Sequence, residues 1–179
     1  RVQGAAMYRT LNRICDVLAR GLALAGGAVL LVLVFATCLS ILGRAFVPLD
    51  IGLGPIRGIY DMTEIGMAAA VFAFLPWAQF CEAHARVELF RWALSRKLGE
   101  ALDVLFYAAL AFVAFVGSQR LYLGMQDKIA FGETTLIAQI PVWQGYAAAL
   151  VGALGFVVIA LFCTLRATRR FAGYEDVTG

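Results

Sequence analysis

The chain has 179 residues, of which 62% are hydrophobic and 15% charged, with a mean hydropathy of +0.82 and a formal net charge of +3. Soluble domains carry about 25% charged residues, and a soluble chain of this size needs more polar surface, so the composition is that of an integral membrane protein. No basic run interleaved with aromatics lies on a polar background, which argues against a nucleic-acid partner.

In chain order, the segment 9–20 comes first. Leu11, Ile14 and Leu18 lie along one helical face with basic residues around it. This suits a helix lying at the membrane interface, and equally a helical extension of the span that follows. The first long apolar run, 21–42, carries no charge. The second is 59–80, the third 102–123 with Asp103 and Arg120 near its ends, and the fourth 142–165, again without charge. Each reaches the roughly 20 helical residues that cross a hydrocarbon core. Irregular backbone cannot face lipid, so the fold class is an all-α membrane protein, one domain of four transmembrane helices in a small bundle. Between the second and third spans, 82–100 sets Val87, Phe90, Leu94 and Leu98 on one stripe, with Trp92 as an anchor. This segment also reads as an interfacial helix or as an extension of a span. Pro76 falls inside the second span, where it removes a backbone bond and favours a kink. Pro141 fits the first turn of the fourth helix.

Orientation follows from the basic residues. Eleven of the 15 Lys and Arg lie in the N-terminal segment, the 82–100 segment and the C-terminal tail. The other two connections hold Arg44, Arg57 and Lys128, with Arg120 at the edge of one. Both termini are therefore expected in the cytoplasm, with the loops 43–58 and 124–141 facing outward.

Two features stand out against this apolar background. Asp61 and Glu64 open the second span on one face. One reading makes them a proton or cation site, since ionisable groups within a span are functional candidates by default. The other places them at the outer interface near a helix N-terminus, where the helix dipole favours negative charge and Arg44 and Arg57 are available as partners. The second is favoured, because buried acids usually pair. Small residues also recur at four-residue spacing: Gly145, Ala149 and Ala153 in the fourth span, Gly66 and Ala70 in the second. Such rows mark protein-facing sides in lipid. They point to a further helical partner, although four helices of one chain could also use them.

Little else carries chemistry. The single histidine, His84, cannot supply the two axial ligands of a membrane haem, and it has no evident partner as a catalytic base. The four cysteines are scattered without a CxxC pair and read as small reduced hydrophobes. No clustered zinc ligands and no phosphate-binding loop are present in the sequence. An enzyme is not indicated, and no cofactor is expected.

Four stretches carry a resemblance. "ILGRAF" (41–46) closes the first span and "DMTEIGM" (61–67) opens the second. "CEAHARVEL" (81–89) follows the second span, and "GETTLIAQIPVWQGY" (132–146) opens the fourth. In this order the chain resembles the small membrane subunit, DctQ-like, of tripartite ATP-independent periplasmic (TRAP) transporters. The resemblance implies a non-catalytic protein of the bacterial inner membrane. Its expected partners are a large multi-span subunit, which carries the substrate and sodium sites and moves as an elevator, and a periplasmic binding protein that delivers a small organic acid. The candidate structural and partner-contact residues are Arg44, Arg57, Asp61, Glu64, Gly66, Ala70, His84, Pro141, Trp143 and Tyr146. The competing reading is an autonomous small transporter that uses Glu64 as a proton site.

Overall fold

The computed structural model describes residues 2–46, 56–81 and 96–172. They form four helices: α1 (Val2–Phe46), α2 (Ile59–Phe80), α3 (Arg96–Phe131) and α4 (Trp143–Phe171). Each is long and apolar enough to cross a membrane. The runs 21–42, 59–80 and 102–123 lie within α1, α2 and α3, and the run 142–165 begins one residue ahead of α4. Residues 9–20 are not a separate element. They are early turns of α1, which runs unbroken for 45 residues, about 67 Å at 1.5 Å per residue and more than twice the hydrocarbon thickness. Residues 82–95, including His84 and Trp92, lie outside the described residues.

The helices do not close into a bundle. α4 packs against both α2 and α3, and α2 packs against α1. α1 touches α4 lightly, while among the described residues the backbone of α3 comes close to neither α1 nor α2. The order in space is α3, α4, α2, α1, a row with α4 and α2 inside. Most of the large apolar side chains of α1 and α3, such as Leu31, Phe35, Leu39, Phe112 and Phe115, are consequently exposed. Water would penalise such a surface, and lipid does not.

In lipid, apolar side chains gain nothing by leaving the solvent, so helices associate through close packing and small residues. The α2–α4 contact depends on three glycines of α4. A Cβ on Gly152 would stand 2.5 Å from the carbonyl carbon of Phe72 and 2.6 Å from its oxygen. Phe72 precedes Pro76 by four residues, so its carbonyl is the one deprived of a helical donor. The bare Gly152 brings α4 against that carbonyl, and Gly155 does the same for the Pro76 ring and Leu22. Gly145 faces Ile65, where a Cβ would sit at 3.3 Å. Pro76 stays within α2, which continues to Phe80. Gly66 and Ala70, expected to face a further helix, lie in the seam with α1. Gly66 lies against Leu33, and Ala70, 1% exposed, lies against Gly26. The small-residue rows of α2 and α4 thus serve the chain's own interior.

At the end carrying both termini, aromatic rings join three helices. Tyr8 of α1 stacks on Phe162 of α4, Phe162 on Phe80 of α2, and Phe80 on Trp77. Arginines lie over this ladder: Arg20 over Trp77, Arg166 over Phe80 and Arg169 over Tyr8, the last at 4.3 Å from the ring centre. Arg166 also reaches toward the Phe80 carbonyl. Below the rings, Cys15, Ala19, Tyr107, Ile159 and Cys163 form a buried core. Tyr60, exposed near the opposite end of α2, and Trp77 are roughly 26 Å apart along the helix axis, a spacing suited to the two interfaces of a bilayer.

Because Gly152 has backbone rather than a flexible side chain in front of it, Gly152→Ala is expected to lose about 1–3 kcal/mol through overpacking. Gly117→Ala, with nothing within 4 Å of the added carbon, is expected to be neutral or slightly stabilising. Thermal unfolding of the two variants in mild detergent checks this. Equal melting temperatures would remove the close approach as the basis of the α2–α4 contact.

Candidate functional site

One cluster of polar groups lies where α2 begins and the α3–α4 connection folds over it, at the end opposite the arginine-capped rings. α3 ends at Phe131, and Gly132, whose φ of 61° suits the left-handed position that closes a helix, follows it. The Gly132 N–H donates to the Ile129 carbonyl and the Glu133 N–H to the Lys128 carbonyl, the paired bonds of a Schellman cap. Lys128 and Glu133 add an ion pair at 2.6 Å. The chain then makes a short hairpin. Thr135 donates its N–H to the Ile140 carbonyl, Val142 donates to the Glu133 carbonyl, and the Thr135 hydroxyl accepts the Ile140 N–H. Thr134 and Pro141 face each other across it.

Pro141 therefore belongs to the hairpin and not to the first turn of α4, which starts at Trp143 with Val142 as its cap. The hairpin bonds come from Thr135 and Val142, on either side of the Thr134–Pro141 pair. The missing proline N–H thus leaves no gap in the hairpin. Its carbonyl accepts the Gln144 N–H.

The hairpin turn is held by Asp61. One carboxylate oxygen, Oδ2, accepts the N–H groups of Ala138 at 2.8 Å and Ile137 at 3.0 Å. Successive turn amides form a concave donor pair that suits an anion, and charge-assisted bonds of this kind are stronger than neutral ones. The turn comes this close because Gly58, just before α2, has φ 77° and no side chain. A Cβ there would stand 2.5 Å from that of Ala138. Ser40 near the end of α1 accepts the Ile56 N–H at 3.2 Å, which fixes where the chain approaches α2.

The two acids, neighbours in sequence, thus differ in role. Asp61 binds backbone amides. Glu64, one turn further, is exposed on the rim of a groove. No ion pair joins either acid to Arg44 or Arg57 among the described residues. Arg44 is exposed in the last turn of α1, where a cation suits the helix dipole, and Arg57 is exposed in the turn before α2. The groove exists because the backbones of α2 and α3 stay apart. α4 is its floor (Gly145, Ala149), α2 one wall (Ile65, Ala68, Phe72), α3 the other (Leu121), and the hairpin its roof, with a volume of about 410 Å3. Tyr146 lines it too and packs its ring over Gly124 of α3. Trp143 is partly exposed at the start of α4. Leu136, in the hairpin turn, is 96% exposed.

The structure brings together Asp61, Glu64, Pro141 and Tyr146. It leaves Arg44 and Arg57 outside that cluster, and His84 falls outside the described residues. Sequence reasoning missed Gly58, Ser40 and the amides of Ile137 and Ala138. A glycine directly before a span was a readable signal, whereas backbone amides carry none.

A family model described as "Tripartite ATP-independent periplasmic transporters, DctQ component" matches residues 33–173. No curated protein and no solved structure matches the chain.

Asp61→Ala is expected to leave two amides without their acceptor and to destabilise the hairpin by about 1–3 kcal/mol. Hydrogen exchange at Ile137 and Ala138 should accelerate, whereas Asp61→Asn, which keeps an acceptor oxygen, should retain part of the protection. Unchanged exchange in Asp61→Ala would show that the carboxylate does not hold the turn.

Proposed function

The chain belongs to the family of DctQ components of TRAP transporters, and from that membership we propose that it is the scaffold of a large elevator-type subunit. A DctQ component is a non-catalytic, multi-pass membrane protein whose family works with a large membrane component and a periplasmic binding protein. In our reading the transporter is sodium-coupled and imports a small organic acid into a bacterium across its inner membrane. Both termini of this chain then lie in the cytoplasm, where the basic residues are.

The observation that supports a scaffold is the distribution of polar groups. Among the described residues no charged side chain is buried; the buried polar side chains are Ser40, Gln79 and Ser118. The hydroxyls that could line a path are bonded to their own helices: Thr37 to the Leu33 carbonyl, Thr63 to Ile59, Ser118 to Ala114 and Thr164 to Ala160. Substrate and ion sites in membranes require converging polar groups near the midplane. A row of helices with long uncovered apolar faces on α1 and α3 supplies surface for a neighbour instead. The same facts weigh against an autonomous transporter built on Glu64, which lies on an open rim with no relay behind it.

Affinity purification of the chain from its native membrane should bring down a large multi-span protein. Cells lacking the chain should lose binding-protein-dependent uptake, and the chain alone should move no solute in liposomes. Uptake that persists without the chain, or transport by the chain alone that Glu64→Gln abolishes, would overturn the scaffold role.

A further inference from the structure

We propose that the groove between α2 and α3 is a binding site for one aminophospholipid, whose ammonium group meets Glu64 and whose acyl chain lies along Ile65, Ala68 and Phe72. The proposal stands apart from the scaffold role and needs only that the four helices span a bilayer.

The shape and the order of groups point to this occupant. The lining on α2 runs from Asp61 to Phe72, roughly 16 Å along the helix axis and about half of a hydrocarbon core. Its polar groups, Asp61, Glu64, Thr134 and Thr135, lie at the end where α2 begins and the hairpin forms the roof. The deeper end is apolar, with Phe72 on α2 and Ala149 on α4. Polar at the interface and apolar toward the midplane is the profile of one leaflet of a bilayer. A basic side chain from a partner, with a stem of four carbons or fewer, would fill only the acidic end.

Charge selects among lipids. The Asp61 carboxylate already accepts two backbone amides, while Glu64 has no ion-pair partner among the described residues. Glu64 is therefore the group left to take a cation, and it repels a lipid whose headgroup is only anionic. The Thr134 hydroxyl lies on the same rim, where a lipid phosphate needs a donor, while the Thr135 hydroxyl is engaged with Asp61 and the Ile140 amide. The cleft is built into the fold: the backbone packing of α2 on α4 and the separation of α2 from α3 leave a channel that no side chain of the described residues fills. In a membrane such a channel is occupied by lipid or by protein, since an apolar void forfeits dispersion contacts along its whole lining.

The test is native mass spectrometry of the full chain in mild detergent, with phosphatidylethanolamine and phosphatidylglycerol offered in equal amounts. The wild type should retain phosphatidylethanolamine about fivefold over phosphatidylglycerol, the ratio that a partly exposed ion pair provides. Glu64→Gln, an isosteric change at an exposed position, should bring the ratio to about one with the melting temperature unchanged. Ala68→Phe, which fills the groove, should reduce retention of both lipids. Equal retention by the wild type, or a preference that survives Glu64→Gln, overturns the proposal. A photo-crosslinker at position 68 that captures a membrane protein in cells, and no lipid, overturns it as well and identifies the groove as a protein contact.

Discussion

The contact between α2 and α4 is the constraint from which the rest of the arrangement follows. It is a contact of backbones. Gly152 lies against the Phe72 carbonyl, Gly155 against the Pro76 ring, and Gly145 against Ile65. In a bilayer the apolar side chains of two helices are as well solvated apart as together, so association needs atoms at van der Waals distance over a long seam. Glycine and alanine permit that distance. The proline supplies a second reason, because the carbonyl it leaves without a donor cannot turn to water in the hydrocarbon region and is instead covered by α4.

With α2 and α4 this close, the outer helices have limited choices. α1 takes the other side of α2 through Gly26, Gly66 and Ala70, and α3 takes the other side of α4. The result is a row, with α3 separated from α2 by the groove that α4 floors. Two devices of different chemistry then hold its ends. Where both termini lie, stacked rings capped by arginines join α1, α2 and α4. Where α2 begins, a single carboxylate holds the α3–α4 hairpin. The first device suits a region where cationic side chains meet headgroups and water, and aromatic faces orient them. The second needs little more than one oxygen, because the turn is already shaped by Gly132, Gln139 at φ 52° and the Thr135 hydroxyl.

Much of this was legible in the sequence. Four uncharged or nearly uncharged runs of the right length sufficed for helix number and placement, because lipid admits no other element there. The stretch "GETTLIAQIPVWQGY" stood out, and it proves to be the Schellman cap, hairpin and start of α4. Less legible was who meets whom. Asp61 and Glu64 looked like a pair awaiting arginines, yet Asp61 finds main-chain amides 76 and 77 residues away, and main-chain donors leave no mark in a sequence. The small-residue rows announced close packing without saying whose. Gly66 and Ala70 as written could serve another subunit as well as α1. Pro141 lies two residues ahead of the first residue of α4 and not in its first turn, a difference the sequence does not carry, because a proline that starts a helix and a proline that ends a hairpin share the same φ.

The row also bears on what the chain can do. A closed bundle buries a central axis, and a buried axis is where polar side chains from several helices converge on a substrate or an ion. A row has no axis. Its inner seam is filled largely by small side chains and backbone, with Gln79 buried at one end of α2, the hydroxyls of Thr37, Thr63, Ser118 and Thr164 are bonded to carbonyls of their own helices, and Glu64 lies in a lateral groove. Such a shape has two broad faces in place of an interior, so any ligand or partner approaches from the side, within the plane of the membrane. The outermost helix of the row, α1, is about 67 Å long and extends well beyond the thickness of the hydrocarbon core, so its ends reach past the apolar region in a way that a helix of minimal length such as α2 does not.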